Sequence, residues 1–121
     1  FNLDKVDFNQ PLYVVEGPID SLFLDNCIAV AGSDFSKVTN EISKSGSTLI
    51  FDNEPRNKEI IKKMRSMGDQ GYKVCVWPET IGEKDINDMV LNKIPSIVDV
   101  INNNTRQGLE LSLAINNWSK V

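Results

Sequence analysis

Residues Ser47–Met67 read STLIFDNEPRNKEIIKKMRSM, and this run decides the fold. Ser47 to Asp52 is an uninterrupted apolar stretch ending in an acid, the signature of a strand buried on both faces rather than one with a wet side. Pro55 then suits the first position of a helix, because its missing N–H has no intrahelical partner there. Ile60, Ile61, Met64 and Met67 recur at helical spacing, while Arg56, Lys58, Lys62, Lys63 and Arg65 occupy the rest of the surface. Gly68 and Gly71 end the helix. A buried strand feeding a crossover helix is half of a βαβ unit, which is the building block of a parallel sheet.

The neighbouring segments repeat the unit. Upstream, Leu12–Glu16 (LYVVE) is a strand followed by Pro18 and a short helix IDSLFL, and Cys27–Ala31 is a second strand. Asp34–Ser45 has Phe35, Val38 and Ile42 on one helical face and stops at Gly46. Downstream, Tyr72–Trp77 (YKVCVW) is a fourth strand, followed by the loop PETIGEKD and two or three helices. NNNT at 102–105 reads as a helix stop and a new helix start, with the last helix over Arg106–Trp118 and able to cap the core as a separate piece. The expected fold is α/β: a Rossmann-like, four-stranded parallel sheet flanked by helices, with extra C-terminal helices. One domain covers 1–121, with a core over about 11–92 and a helical extension over about 95–121.

With 121 residues, 40% of them hydrophobic and 25% charged, the chain has material for one globular core and no second. No apolar run approaches the ~18 residues of a membrane span. There is no histidine. Imidazole bases, Ser-His-Asp and Cys-His nucleophilic systems and His zinc ligands are thereby excluded, so acid-base chemistry falls to carboxylates, Lys or Tyr. Cys27 and Cys75 each lie in an apolar stretch and read as reduced core residues, which suits a cytoplasmic location. A formal charge of −4 argues against a free-standing nucleic-acid binder held by a basic surface, but it suits a carboxylate site for divalent cations. The start at Phe1 reads as a piece excised from a longer chain.

In open α/β sheets the ligand crevice lies beyond the carboxyl ends of the strands. Strand one ends in Glu16-Gly17, strand three in Asp52-Asn53-Glu54, and strand four leads to Glu83-Lys84-Asp85 and Asp88. With strand order 2-1-3-4, the carboxylates of Glu16, Asp52, Glu54 and Asp85 converge on one edge. Like charges so packed call for cations between them, and hard oxygen donors suit Mg²⁺ or Mn²⁺. Each motif also has a purely structural reading: EGP as a turn with Pro opening a helix, KDIND as a helix start capped by Asp85, the basic helix run as a solvent face. DNEP read as a cap would put Glu54 at the capping position, where Asp, Asn or Ser is better, and this leans toward a site.

Taken in order, LYVVEGPIDSLFL, IAVAGSD, LIFDNEPRNKEII and KDINDMV resemble the TOPRIM domain of primases and topoisomerases. The EGPID and KDIND wording is most similar to the DNA primases of T-even-like tailed phages, and the resemblance runs from Leu12 to Leu91. It implies that Glu16 is a general acid/base and metal contact, Asp52 the first acid of the family's Asp-x-Asp, and Glu54 its second, a departure because the usual residue is Asp. Lys84 and Asp85 match the Lys-Asp after strand four. Lys84 would neutralise phosphate charge, and Gly17 would let the backbone approach a phosphate.

The implied activity is Mg²⁺- or Mn²⁺-dependent joining of ribonucleotides into RNA primers on a single-stranded DNA template, in the host cytoplasm. Zinc would belong to a separate module outside this chain, and the isolated fragment is expected to make no primers. Two other classes remain open: a TOPRIM nuclease or topoisomerase, and a non-catalytic scaffold docking a replicative helicase through Leu109, Leu111, Leu113, Ile115 and Trp118.

Overall fold

A computed structural model describes residues 6–30, 35 and 42–121. Five strands and five helices follow in the order β1 (Leu12–Val15), α1 (Pro18–Ser21), β2 (Cys27–Ala29), β3 (Ser47–Ile50), α2 (Lys58–Asp69), β4 (Lys73–Cys75), α3 (Ile86–Leu91), α4 (Ile97–Asn103), β5 (Thr105–Arg106) and α5 (Gly108–Trp118). The sheet order is β2-β1-β3-β4-β5. The first four strands are parallel, with Val14 beside both Ile28 and Leu49, and Leu49 beside Val74. The expected order 2-1-3-4 and the parallel pairing are therefore present.

Successive strand residues point to opposite faces, and both faces are covered. Val14, Leu49 and Val74 pack with Ile60, Met64 and Met67 of α2 and with Leu111, Ile115 and Trp118 of α5. Val15, Ile50 and Cys75 point the other way, into a cluster with Trp77, Ile86, Met89 and Ile101. Two-sided burial is the reason these strands carry no polar alternation. Cys27 and Cys75 are buried and unbridged, and burial pushes both thiols up from their usual range.

Several expectations need correction. The sheet has five strands, because Thr105–Arg106 pairs antiparallel with Val74–Cys75; the NNNT signal hid a two-residue strand, and the last helix starts at Gly108 rather than Arg106. The helix after β3 starts at Lys58, not at Pro55, and its cap is Asn57, whose side chain accepts from the N–H groups of Glu59 and Ile60 at 3.0 and 3.3 Å. Gly68 does not end that helix but lies inside it, where a Cβ would come within 2.7 Å of Leu111 Cδ2; it allows α2 and α5 to approach. Gly71, with φ +97°, makes the turn into β4. The expected helix over 34–45 falls mostly outside the described residues, and Ile42–Ser45 is turn, with Ser43 Oγ accepting from the Gly46 N–H at 2.9 Å. Among the described residues no helix is long and apolar enough to cross a membrane.

Candidate functional site: a carboxylate crevice

Parallel pairing of β1 and β3 brings their carboxyl ends side by side, and with them Glu16 and Asp52. Glu16 Oε2 accepts the Asp52 backbone N–H at 2.7 Å. This bond ties the two strand ends together and fixes the Glu16 carboxylate against Asp52. The Asp52 carboxyl is pushed up to about 8, first by burial, then by its side-chain hydrogen bond to Glu16 and by the charges of Glu16, Asp20 and Asp85. Burial and the neighbouring acids thus favour the protonated form of the Asp52 carboxyl in the absence of a counter-charge.

Asp20 belongs to the same group, although nothing in the EGPID wording singled it out. It is 7% exposed, on the one-turn helix α1 that Pro18 opens immediately after β1. Burial raises its carboxyl, the Asn87 N–H that it accepts at 2.9 Å works the other way, and the charges of Asp85, Glu16 and Asp88 raise it further. Gly17 leaves room for this carboxyl: a Cβ there would sit 3.3 Å from Asp20 Oδ2.

The other expected residues are divided. Asp85 is near enough to raise Asp52 and Asp20, yet its own Oδ1 caps α3 by accepting the Asp88 N–H at 2.8 Å, as the structural reading of KDIND required. Glu54 faces Lys84, Oε1 to Nζ 3.9 Å, and Lys84 is 58% exposed in its side chain. The carboxylates that act on Asp52 are Glu16, Asp20 and Asp85, not Glu54.

Asn53, between the two acids of DNE, is the second residue that the sequence did not reveal. Its side-chain N–H₂ donates to the carbonyls of Ile81 and Glu83, both at 3.0 Å, its backbone N–H donates to the Lys84 carbonyl, and its Oδ1 accepts Trp118 Nε1 at 2.9 Å. Asn53 therefore ties the loop carrying Lys84 to the end of α5. Of the five α5 residues expected to dock a partner, Leu111, Ile115 and Trp118 are in the core; Leu109 and Leu113 remain exposed, at 77% and 55%.

Among the described residues no three acidic or thiol side chains surround a common point. The donor chemistry nevertheless suits a hard divalent cation. Mg²⁺ commonly takes only one or two carboxylates and completes its shell with water and substrate phosphates, and Glu16 and Asp52 supply two carboxyl groups at adjacent strand ends, with that of Asp52 raised by burial and neighbouring acids. A cavity of about 870 Å³ lies elsewhere, at the amino ends of the strands beside Tyr13, Thr48 and Lys73, and holds none of these acids.

A Rossmann-like α/β domain with an acidic crevice at the carboxyl edge of its parallel strands is the class that fold and site define. No family model matches the chain. It is similar to the DNA primase of Enterobacteria phage T4, with 34% identity over 114 residues, covering 91% of this chain and 33% of that primase. The chain spans about a third of the length of that relative, and the similarity agrees with the expected likeness to primases of T-even-like phages.

Proposed function

We propose that this chain is the TOPRIM-type, metal-binding catalytic part of a phage DNA primase, acting in the joining of ribonucleotides on a single-stranded DNA template. The observation that carries this reading is the Glu16–Asp52 pair at the carboxyl edge, with the Asp52 carboxyl pushed up to about 8 by burial and by neighbouring acids. Carboxylates held this close together, with two further acids around them, are unfavourable in a purely structural role. Likeness to the T4 primase supplies the reaction class.

Glu16 and Asp52 would hold Mg²⁺ or Mn²⁺, with Asp20 and Asp85 adding negative charge around them. A bound divalent ion supplies activation of a 3′-hydroxyl and neutralisation of triphosphate charge. For Asp52 to act as a ligand its carboxyl has to be deprotonated, so metal uptake would release that proton to solvent. The Asp52 N–H keeps Glu16 oriented throughout. Lys84, on its exposed loop, would leave Glu54 for an incoming phosphate, which frees Glu54 to act as the second acid of the motif; the Asn53 bonds to Ile81 and Glu83 hold that loop in reach.

The test is primer synthesis by the complete polypeptide encoded by the open reading frame. Asp52→Asn removes a ligand charge with little change in shape and should abolish synthesis on single-stranded DNA while the protein stays folded. Full activity of the folded Asp52→Asn protein would refute the reading. Nicking of plasmid DNA in Mn²⁺ without primer synthesis would transfer the same acids to a nuclease.

A further inference from the structure

Beside Asn53, the end of β4, β5 and α5 line a second cavity of about 420 Å³. That is within the usual range of small-molecule sites. Its chemistry runs against that of the chain. The protein carries −4 overall, yet the charged residues lining this cavity are Arg106, Lys120 and one acid, Glu79. The apolar wall includes Trp77 and Trp118, whose indole N–H groups are already donated to the Phe51 carbonyl and to Asn53 Oδ1. Their rings therefore offer apolar edges and no polar demand. Asn117, exposed on the last turn of α5, adds an amide with both donor and acceptor capacity.

We propose that this cavity binds one nucleotide, with the base against the Trp77 and Trp118 wall, the Asn117 amide on the base edge, and the phosphate between Lys120 and Arg106. A flat apolar wall, an amide and a pair of cations match the three chemical parts of a nucleotide, whereas a bare phosphate would have no use for the wall. The position of Lys120 adds to the case. It also lines an open groove with Glu54 and Arg56, and its backbone N–H is fixed to the Pro55 carbonyl at 2.8 Å. The inference deepens the primase reading and rests on it for the source of the nucleotide, either one unit of a single DNA strand or a free ribonucleoside triphosphate.

Trp77 and Trp118 are the two tryptophans of the chain and both line the cavity, so intrinsic fluorescence reports on it without a label. The experiment titrates the 121-residue chain with a short oligothymidylate, with ATP and with inorganic phosphate, all in EDTA. Saturable quenching by oligothymidylate or by ATP is expected, and which of them acts identifies the source. Lys120→Gln with Arg106→Gln should weaken it about tenfold or more, as loss of charge-assisted contacts does. Gly82→Leu should block it sterically with the fold intact, since a Cβ at Gly82 meets nothing within 4 Å. Asp52→Asn should leave it unchanged.

Three results would overturn the proposal: no saturable quenching, equal quenching by phosphate alone, or equal binding by the charge-neutralised and wild-type chains. Quenching that requires Mg²⁺ and disappears in Asp52→Asn would also defeat it, assigning the nucleotide to the acid crevice and leaving the primase reading intact. Metal-free quenching retained alongside a fully active Asp52→Asn polypeptide would leave the cavity standing while the acid reading fell.

Discussion

Asp52 is the residue on which the proposed cation site rests, and its titration has a definite sign. Its folded-state pKa, about 8, lies above the ordinary 3.8. A raised carboxyl favours the folded state at low pH, and that contribution is lost as pH rises through the folded value. Metal-free stability should therefore fall between pH 3.8 and about 8, and Asp52→Asn, which has no charge to lose, should flatten the fall. At the upper end the variant should be the more stable of the two. Thermal melts in EDTA across that range would measure this. Glu54 should behave differently: as half of an exposed pair with Lys84 it contributes at most about 1 kcal/mol to stability, and Glu54→Asp, which restores the usual motif residue, should retain primer synthesis in the complete polypeptide. If Glu54→Gln retained it equally, Glu54 would have no role as an acid. Glu16, Asp52 and Asp85 were legible because each stands where a strand or its following loop ends in an acid. Asp20 and Asn53 were not, since one is brought in by a single turn folding back over β1, and the other works through carbonyls 28 and 30 residues away.

At the scale of elements, apolar continuity was a reliable guide and helix ends were not. β1, β3 and β4 could be read because burial on both faces leaves no polar alternation, whereas β5 is two residues long and has no pattern of its own to read. The start of α2 was misplaced by three residues because Pro55 is compatible with a first helical position but does not compel one; Asn57, with a better capping side chain, sets the start. Asn57→Ala should then cost about 1 kcal/mol, the usual loss of an N-cap, while Glu54→Ala should leave α2 unaffected. Equal losses from the two, measured by denaturant unfolding, would restore Glu54 as the cap. Trp118→Phe should keep most of the packing of α5 and lose its bond to Asn53, at about 1 kcal/mol, with greater amide exchange in the loop carrying Lys84. Unchanged exchange there would show that Asn53 holds the loop without help from α5.

For the whole molecule, parallel order places the ends of β1 and β3 next to each other, with the loop after β4 folded across them and the acids gathered at that edge. An acidic crevice in an acidic chain has a net cost that a cation would relieve, and this is the central claim. Mass action gives about 2.7 kcal/mol of stabilisation at a hundredfold excess of metal over its dissociation constant. The most direct measurement is a set of thermal melts of the 121-residue chain and of Asp52→Asn, in EDTA and in excess Mn²⁺, at matched ionic strength. Mn²⁺ should raise the melting temperature of the wild type, and Asp52→Asn, more stable without metal, should lose most of that rise. Identical responses of the two proteins to metal would contradict it, because Glu16 and Asp52 would then not form a cation site.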